Sequence, residues 1–283
     1  MIPRVSVVVP SYNNAPYLAE TMESILAQTF DDFELVVADH SSTDGTLDVA
    51  QRYASDPRVR ILTTETGGGA KRNWDRVSQE ARGELIKLVC GDDTIAPTSL
   101  AQQVAAFDAH PSAVLVASQR TLTDAAGKTL IAARGLGGLD GVVPGRVAAR
   151  TAVLAGSNIF GEPACVMMRR DALEKIGWWD NSHPYLIDQA SFIEVSLQGD
   201  VVAIPTSLAS FRINAGQWSV RLAREQAHQA AGFHAKLRAE NPDLLSANDV
   251  RRGNFKALLT SFMRRAVYIV LRRRMTQPAS TGT

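Results

Sequence analysis

Val5-Ser6-Val7-Val8-Val9-Pro10-Ser11-Tyr12-Asn13 is a nearly unbroken, β-branched apolar run that meets a proline and opens into a polar turn. A run with so little polar alternation reads as a strand covered on both faces, as in a parallel sheet. Leu18, Met22, Ile25 and Leu26 follow at i, i+4, i+7 and i+8, which predicts a helix with Pro16 suited to its first turn. The pattern then repeats. Strands are expected at 33–38, 59–62, 85–90 and 113–117, with helices carrying Leu47, Ala50 and Tyr53, then at 71–81 and 98–109. Strands alternating with helices of this length predict an α/β fold, a mostly parallel open sheet flanked by helices, whose ligands bind at the carboxyl ends of the strands.

Composition agrees. The chain has 283 residues, 45% apolar and 21% charged, enough for one large α/β domain or a domain with an appendage. A formal charge of +1 lacks the cation excess of a polyphosphate binder, so no nucleic-acid partner is expected. Cys90 and Cys165 each lie in an apolar run, which predicts buried thiols in a reducing compartment. No signal-like segment opens the chain and no apolar run reaches bilayer length, so a cytoplasmic protein is the expectation.

Past residue 120 the rhythm breaks. Gly127, Gly135, Gly137, Gly138, Gly141 and Gly145 predict a hairpin and irregular loops over the sheet. Further strands are expected at 164–168, 201–204 and 208–213, and helices at 186–197, 222–239 and 249–271.

Asp92-Asp93 stand at the exit of the fourth strand. Adjacent carboxylates repel, and a divalent cation relieves that repulsion; Mg²⁺ or Mn²⁺ takes one or two protein carboxylates and completes its shell with water and substrate phosphates. The competing role is a helix cap. Asp39 emerges from the second strand into the crevice, either to contact a ligand or to form the turn, whereas Asp44 suits the cap of the next helix. Tyr12 offers an aromatic plane to a nucleoside or packs under its loop.

Taken in order, these segments resemble family 2 glycosyltransferases of the GT-A fold. The matching text is 5–13, Ser24-Ile25-Leu26-Ala27-Gln28-Thr29-Phe30, 33–39, Ser42-Thr43-Asp44-Gly45-Thr46, Arg72-Asn73, Ala81-Arg82-Gly83-Glu84 and Gly91-Asp92-Asp93, covering about residues 4–215. The resemblance implies transfer of a sugar from a UDP, dTDP or GDP donor to a saccharide or lipid-linked hydroxyl acceptor, with inversion. It implies that Pro10, Tyr12, Asp39 and Arg72 line the nucleotide site, that Asp92 faces the ribose or diphosphate, and that Asp93 ligates Mn²⁺ or Mg²⁺. Two positions depart from the pattern. His40 stands where a second acid is frequent, and Cys90 stands where the acidic signature often begins.

By the same resemblance Asp188, at a helix start in Pro184-Tyr185-Leu186-Ile187-Asp188-Gln189, is the candidate base, with Asp180 the runner-up. The alternative role for Asp188 is a first-turn carboxylate favoured by the helix dipole. Glu162, Trp179 and Asp180 are expected on the acceptor side, with one of Trp178 and Trp179 stacking on a sugar and the other filling the core. The implied organisation is a GT-A domain over 1–215, nucleotide half 1–120 and acceptor half 121–215, followed by a helical extension over 216–283. Gln217-Trp218 gives only part of the Gln-x-x-Arg-Trp motif of processive synthases, so single transfer is favoured. His183, His228 and His234 lack metal-ligand spacing.

The extension is basic. From Arg251 on it carries Arg251, Arg252, Lys256, Arg264, Arg265, Arg272, Arg273 and Arg274, with no acid after Asp249. Such a helix suits the inner face of an anionic membrane, packing on the body, or a homodimer contact. Two other classes remain open at this level: a sugar nucleotidyltransferase, whose glycine-rich basic loop is missing after Val9, and an inactive nucleotide-sugar-binding protein. A dinucleotide oxidoreductase is disfavoured, since no G-x-G-x-x-G follows the first strand.

Overall fold

The structure is a computed structural model describing residues 2–214, 225–271 and Met275. All residues of β1 (Val5–Ser11) and β2 (Phe33–Asp39) are buried, as unbroken apolar runs require. They pair in parallel with Ser11 opposite Asp39, and β3 (Val59–Thr63) continues the sheet with Thr63 opposite Asp39. Three strand ends therefore finish level. On the other side of β1 lies β4 (Leu85–Leu88), also parallel. The crossover helices are α1 (Leu18–Leu26), α2 (Thr46–Gln51) and α3 (Gly69–Gln79). Helix α1 buries Leu18, Met22 and Ile25, three of the four positions its periodicity selects.

The second half comprises β5 (Thr94–Ile95), α4 (Ser99–Ala109), β6 (Ala113–Thr123), β7 (Thr129–Arg134), β8 (Gly141–Pro144), α5 (Gly145–Ala155), β9 (Val166–Arg169), α6 (Arg170–Lys175), α7 (Ile187–Ser196) and β10 (Asp200–Arg212). The sheet order is β3-β2-β1-β4-β9-β6-β10-β5, with β7 on β6 and β8 on β10. Strand β9 runs antiparallel between β4 and β6, so β1, β2, β3, β4, β6 and β10 share one direction. This is the expected α/β sheet, mixed in its second half.

Three departures have local causes. Helices α5 and α6 occupy stretches that predict no helix, because the neighbouring glycines mask the Ala- and Val-rich run that α5 buries at Ala148, Ala149, Ala152 and Val153. The two strands expected at 201–204 and 208–213 are the single strand β10. Pro205 cannot donate to the ladder, and a register shift between Ile204 and Ser207 absorbs it as a bulge.

Two helices close the described chain, α8 (Gln226–Glu240) and α9 (Ala247–Leu271). Positions 222–224 of the expected helix, Gln217-Trp218 and Arg272 to Arg274 lie outside the described residues. Helix α9 meets α5 through the Arg150–Asp249 ion pair at 2.8 Å, and Gln229 of α8 accepts the Tyr185 N–H at 2.7 Å. The helical extension thus packs on the half of the sheet that carries α7.

Candidate active site

Asn73 fastens the level strand ends together. Its Nδ2 donates to the carbonyls of Ser11 at 3.3 Å and Ala38 at 2.9 Å, and its Oδ1 accepts from the Thr64 hydroxyl at 2.6 Å. Beside it Asp39 is buried, accepting the Ser42 N–H at Oδ2 while Oδ1 has no partner. A buried carboxylate oxygen without a donor is costly, so this one fits a donor from a bound molecule. Tyr12 projects outward, 57% exposed, with the His40 ring edge-on at 6.1 Å. His40 Nε2 donates to the Gly67 carbonyl at 2.9 Å, tying the loops after β2 and β3 together. Asp44 accepts the N–H groups of Thr46 and Ala15, the capping role its sequence suggests.

Pro10 is buried within β1 opposite Ala38, where it shapes the strand end. Arg72 donates to the Thr66 carbonyl at 2.8 Å and to Glu65 at 2.7 Å, in the loop that follows β3.

The acidic loop leaves β4 in a tight turn, with the Asp93 N–H donating to the Cys90 carbonyl at 3.0 Å. A Cβ at Gly91 would lie 2.8 Å from Asn14 Oδ1, so the acidic loop rests directly on the side chains of the loop after β1. Asp93 is 1% exposed; its Oδ1 accepts the Arg212 N–H at 3.1 Å, and its Oδ2 is buried without a partner. Burial, and then the adjacent charge of Asp92, hold the Asp93 carboxyl well above the usual carboxylate range. Asp92 accepts from Asn214 Nδ2 at 2.7 Å.

Arg212, at the end of β10, clamps this loop. It donates to the carbonyls of Asp92 at 3.0 Å and Ala125 at 3.2 Å, pairs with Glu20, and lies 4.9 Å over the Tyr17 ring.

Asp188 sits in the first turn of α7. Its Oδ1 accepts the Gln189 N–H at 2.7 Å and its Oδ2 accepts Asn158 Nδ2 at 2.9 Å. Burial raises its carboxyl to about 7, and the charge of Glu162 adds to the rise against those hydrogen bonds. Glu162 is ion-paired with the buried Arg120. Burial first, then the charges of Asp93, Asp92, Asp188 and Glu162, push the Cys90 thiol well above the ordinary value, so position 90 carries a neutral side chain.

Two acceptor-side expectations fare differently. Trp179 corrects the reading, because it is 1% exposed, donates Nε1–H to the Ser78 hydroxyl at 2.9 Å, and meets the rings of Trp74 and Phe192 edge-on. It is a core side chain. Asp180 accepts from Ser182 and from Lys236 Nζ at 2.9 Å; burial raises its carboxyl, but these bonds outweigh burial and hold it below the usual range. Sequence reading missed Arg120, Asn158, Arg212 and Asn214. The available signal was the arginine at 212 inside the mostly apolar run 208–213, whereas Arg120 lies past the expected strand end at 117 among Ser118, Gln119 and Thr121 and gave none.

Among the described residues no group of three or more His, Cys, Asp and Glu side chains is placed to enclose a metal ion. An open arrangement, with Asp93 offering an unpaired oxygen and Asp92 beside it, fits Mg²⁺ or Mn²⁺, which draws its other ligands from water and phosphate.

An open α/β sheet with an acidic loop and a separate buried carboxylate at its strand ends is the frame of a nucleotide-handling protein. The model of Glycosyl transferase family 2 matches residues 6–177, and the chain belongs to that family. It is 36% identical over 110 residues to the putative glycosyltransferase EpsE of Bacillus subtilis, covering 38% of this chain and 40% of EpsE. It is 29% identical over 226 residues to the uncharacterized protein MT1568 of Mycobacterium tuberculosis, covering 78% of this chain and 70% of that protein. Several curated relatives are matched over well under two thirds of their length, 40% for EpsE and 13% for the y4gI protein of Sinorhizobium fredii.

Two solved structures share the GT-A fold. TarS 1-349 of Staphylococcus aureus in complex with UDP-GlcNAc superposes with a TM-score of 0.70 at 18% identity, covering 94% of this chain and 75% of that one. The mannosyltransferase PcManGT from Pyrobaculum calidifontis, in complex with GDP-Man and Mn²⁺, gives 0.66 at 20% identity, covering 95% and 76%.

Proposed function

We propose that this chain is an inverting glycosyltransferase that moves a sugar from a nucleoside-diphosphate donor to a hydroxyl acceptor in glycan, cell-surface polysaccharide or glycolipid assembly. One observation carries the reading: at the exit of β4 the buried Asp93 keeps an unpartnered Oδ2 beside Asp92, and a second carboxylate, Asp188, is held in the first turn of α7 by Asn158 and the Gln189 N–H. Membership of family 2, and the nucleotide sugars bound by TarS and PcManGT, support it.

Tyr12 and Asp39 bind the nucleoside, the first by its exposed ring and the second by its unpaired Oδ1. Asp92 and Asp93 would hold Mn²⁺ or Mg²⁺, which supplies charge stabilisation to the departing diphosphate. Arg212 fixes the main chain that presents them. Asp188 takes the acceptor proton as the acceptor oxygen bonds to C1 and the C1–O bond to the diphosphate breaks, the electron pair leaving with the phosphate. A carboxylate with a value of about 7 is matched to that task near neutral pH. Asn158 and the Gln189 N–H set its rotamer, and Glu162, steadied by Arg120, orients acceptor hydroxyls. A single displacement inverts C1.

A thermal-shift panel of UDP, GDP and dTDP sugars, with and without Mn²⁺, tests the donor reading. Stabilisation by one sugar nucleotide, larger with Mn²⁺, is expected; no response to any of them removes it. The anomeric configuration of the product, read by NMR, tests inversion.

A further inference from the structure

Helix α9 is apolar on the wrong side. Phe255, Leu258, Leu259, Phe262, Met263, Val267, Ile269 and Val270 are all exposed, and they make up eight of the thirteen exposed large apolar side chains among the described residues. At about 100° per residue these positions spread over roughly one half of the helix circumference, an outer side about 22 Å long at the helical rise. The inner face is taken by Gly253, Ala257 and Ser261. These small residues let α9 press on α5, where a Cβ on Gly253 would lie 2.4 Å from the Val153 carbonyl and one on Gly156 would lie 2.4 Å from the Ala257 nitrogen. The far end is fixed as well, since Tyr268 and Leu271 pack on Leu122, Ile213 and Met275. Rolling the helix to hide its outer face would break both contacts.

The charges choose the occupant. Arg251, Arg252 and Lys256 are exposed along the first half of α9, Arg265 lies over the exposed Phe262 ring, and the sequence continues with Arg272 to Arg274, whereas Arg264 turns inward over Tyr185. No acid follows Asp249, and Asp249 is already paired with Arg150. Two copies meeting through this face would bring cations together, the single carboxylate of each helix, Asp249, being already paired with Arg150. Anionic headgroups above an apolar interior match both parts of the pattern. No helix among the described residues is long and apolar enough to cross a membrane, so the fit is to a surface.

We propose that the outer face of α9 lies in the headgroup layer of an anionic lipid bilayer and holds the protein there. Ala257 and Ser261, on the inner face of the same helix, line a narrow cavity with Asn158 and Gln189, the partners of Asp188, so only the thickness of α9 separates the docked face from the acceptor side. That consequence for acceptor delivery rests on the proposed transfer reaction; the docking itself does not, and it is measured without donor.

The test is flotation of the full chain with phosphatidylcholine vesicles and with vesicles also containing phosphatidylglycerol. Binding to the anionic vesicles that weakens with added salt and is slight on phosphatidylcholine is expected. The double variant Leu259→Ser, Phe262→Ser should bind at least about tenfold more weakly, since two large apolar side chains no longer enter the lipid. Both changes are at exposed positions, and an unaltered melting temperature verifies that the variant is folded. Replacing Arg251, Arg252 and Lys256 by Gln should reduce binding to the anionic vesicles alone. The proposal is overturned if the intact chain stays in solution with every vesicle. It is equally overturned if sedimentation equilibrium finds a dimer that the double variant dissociates, which would assign the face to a second copy.

Discussion

Replacing Asp188 by Asn should make the protein more stable and far less active at pH 8, and equally or less stable at pH 4.5. The substitution keeps the shape and removes the charge. A carboxyl carried by the fold from 3.8 to about 7 retains a proton that the unfolded chain has released, so native stability falls as pH rises from about 4 to 7 and is flat above. Fully ionised, that group costs the fold about 4 kcal/mol. Asn has one acceptor oxygen, so either Asn158 or the Gln189 amide loses its partner, at about 1 to 3 kcal/mol. The net gain at pH 8 is about 1 to 3 kcal/mol, or several degrees in melting temperature. At pH 4.5 ionisation of the unfolded chain costs the wild type only about 1 kcal/mol, so the lost hydrogen bond matches or outweighs the gain. Transfer should drop by about 10² to 10⁴, equivalent to about 3 to 5 kcal/mol of barrier, as for removal of a general base. Melting curves at the two pH values, with initial rates of nucleotide release, read both arms. A melting difference that does not change between pH 4.5 and 8, or a rate within about threefold of wild type, would refute the assignment of Asp188 as a buried base.

Wild-type kcat/KM should climb with pH to a plateau above about 7, because the base must be ionised, and a flat profile between pH 5 and 8 would contradict this. Asp93→Asn should raise the melting temperature without metal, since a buried charge beside Asp92 is removed, and should abolish any shift produced by Mn²⁺; an undiminished Mn²⁺ response would take Asp93 out of the site. Trp179→Phe should cost about 1 to 2 kcal/mol through loss of the bond to Ser78 and leave the acceptor KM unchanged, whereas a raised KM with unchanged stability would return Trp179 to the acceptor pocket. Arg212→Met leaves the Asp92 and Ala125 carbonyls without their buried donor, and chemical denaturation should show a loss of about 3 to 5 kcal/mol.

The α/β class was legible in the sequence because the runs at 5–9 and 33–38 carry their burial in their own residues, and helix α1 shows its inner face in its spacing. The loops at the strand ends follow from that frame, so the sequence alone sets Tyr12, Asp39 and Asp92-Asp93 at the carboxyl ends of the strands. Pro205 misled for an equally local reason, since a bulge that absorbs a proline depends on the partner strand β6. Which of two adjacent tryptophans is core, which carboxylate is tied to Lys236 and which is left near neutrality, and that Arg120 and Arg212 brace the acids, were decided by the tertiary structure alone. Strand and helix propensity is a property of a short window, whereas burial, pairing and proton affinity are sums over neighbours that the fold brings from distant parts of the chain.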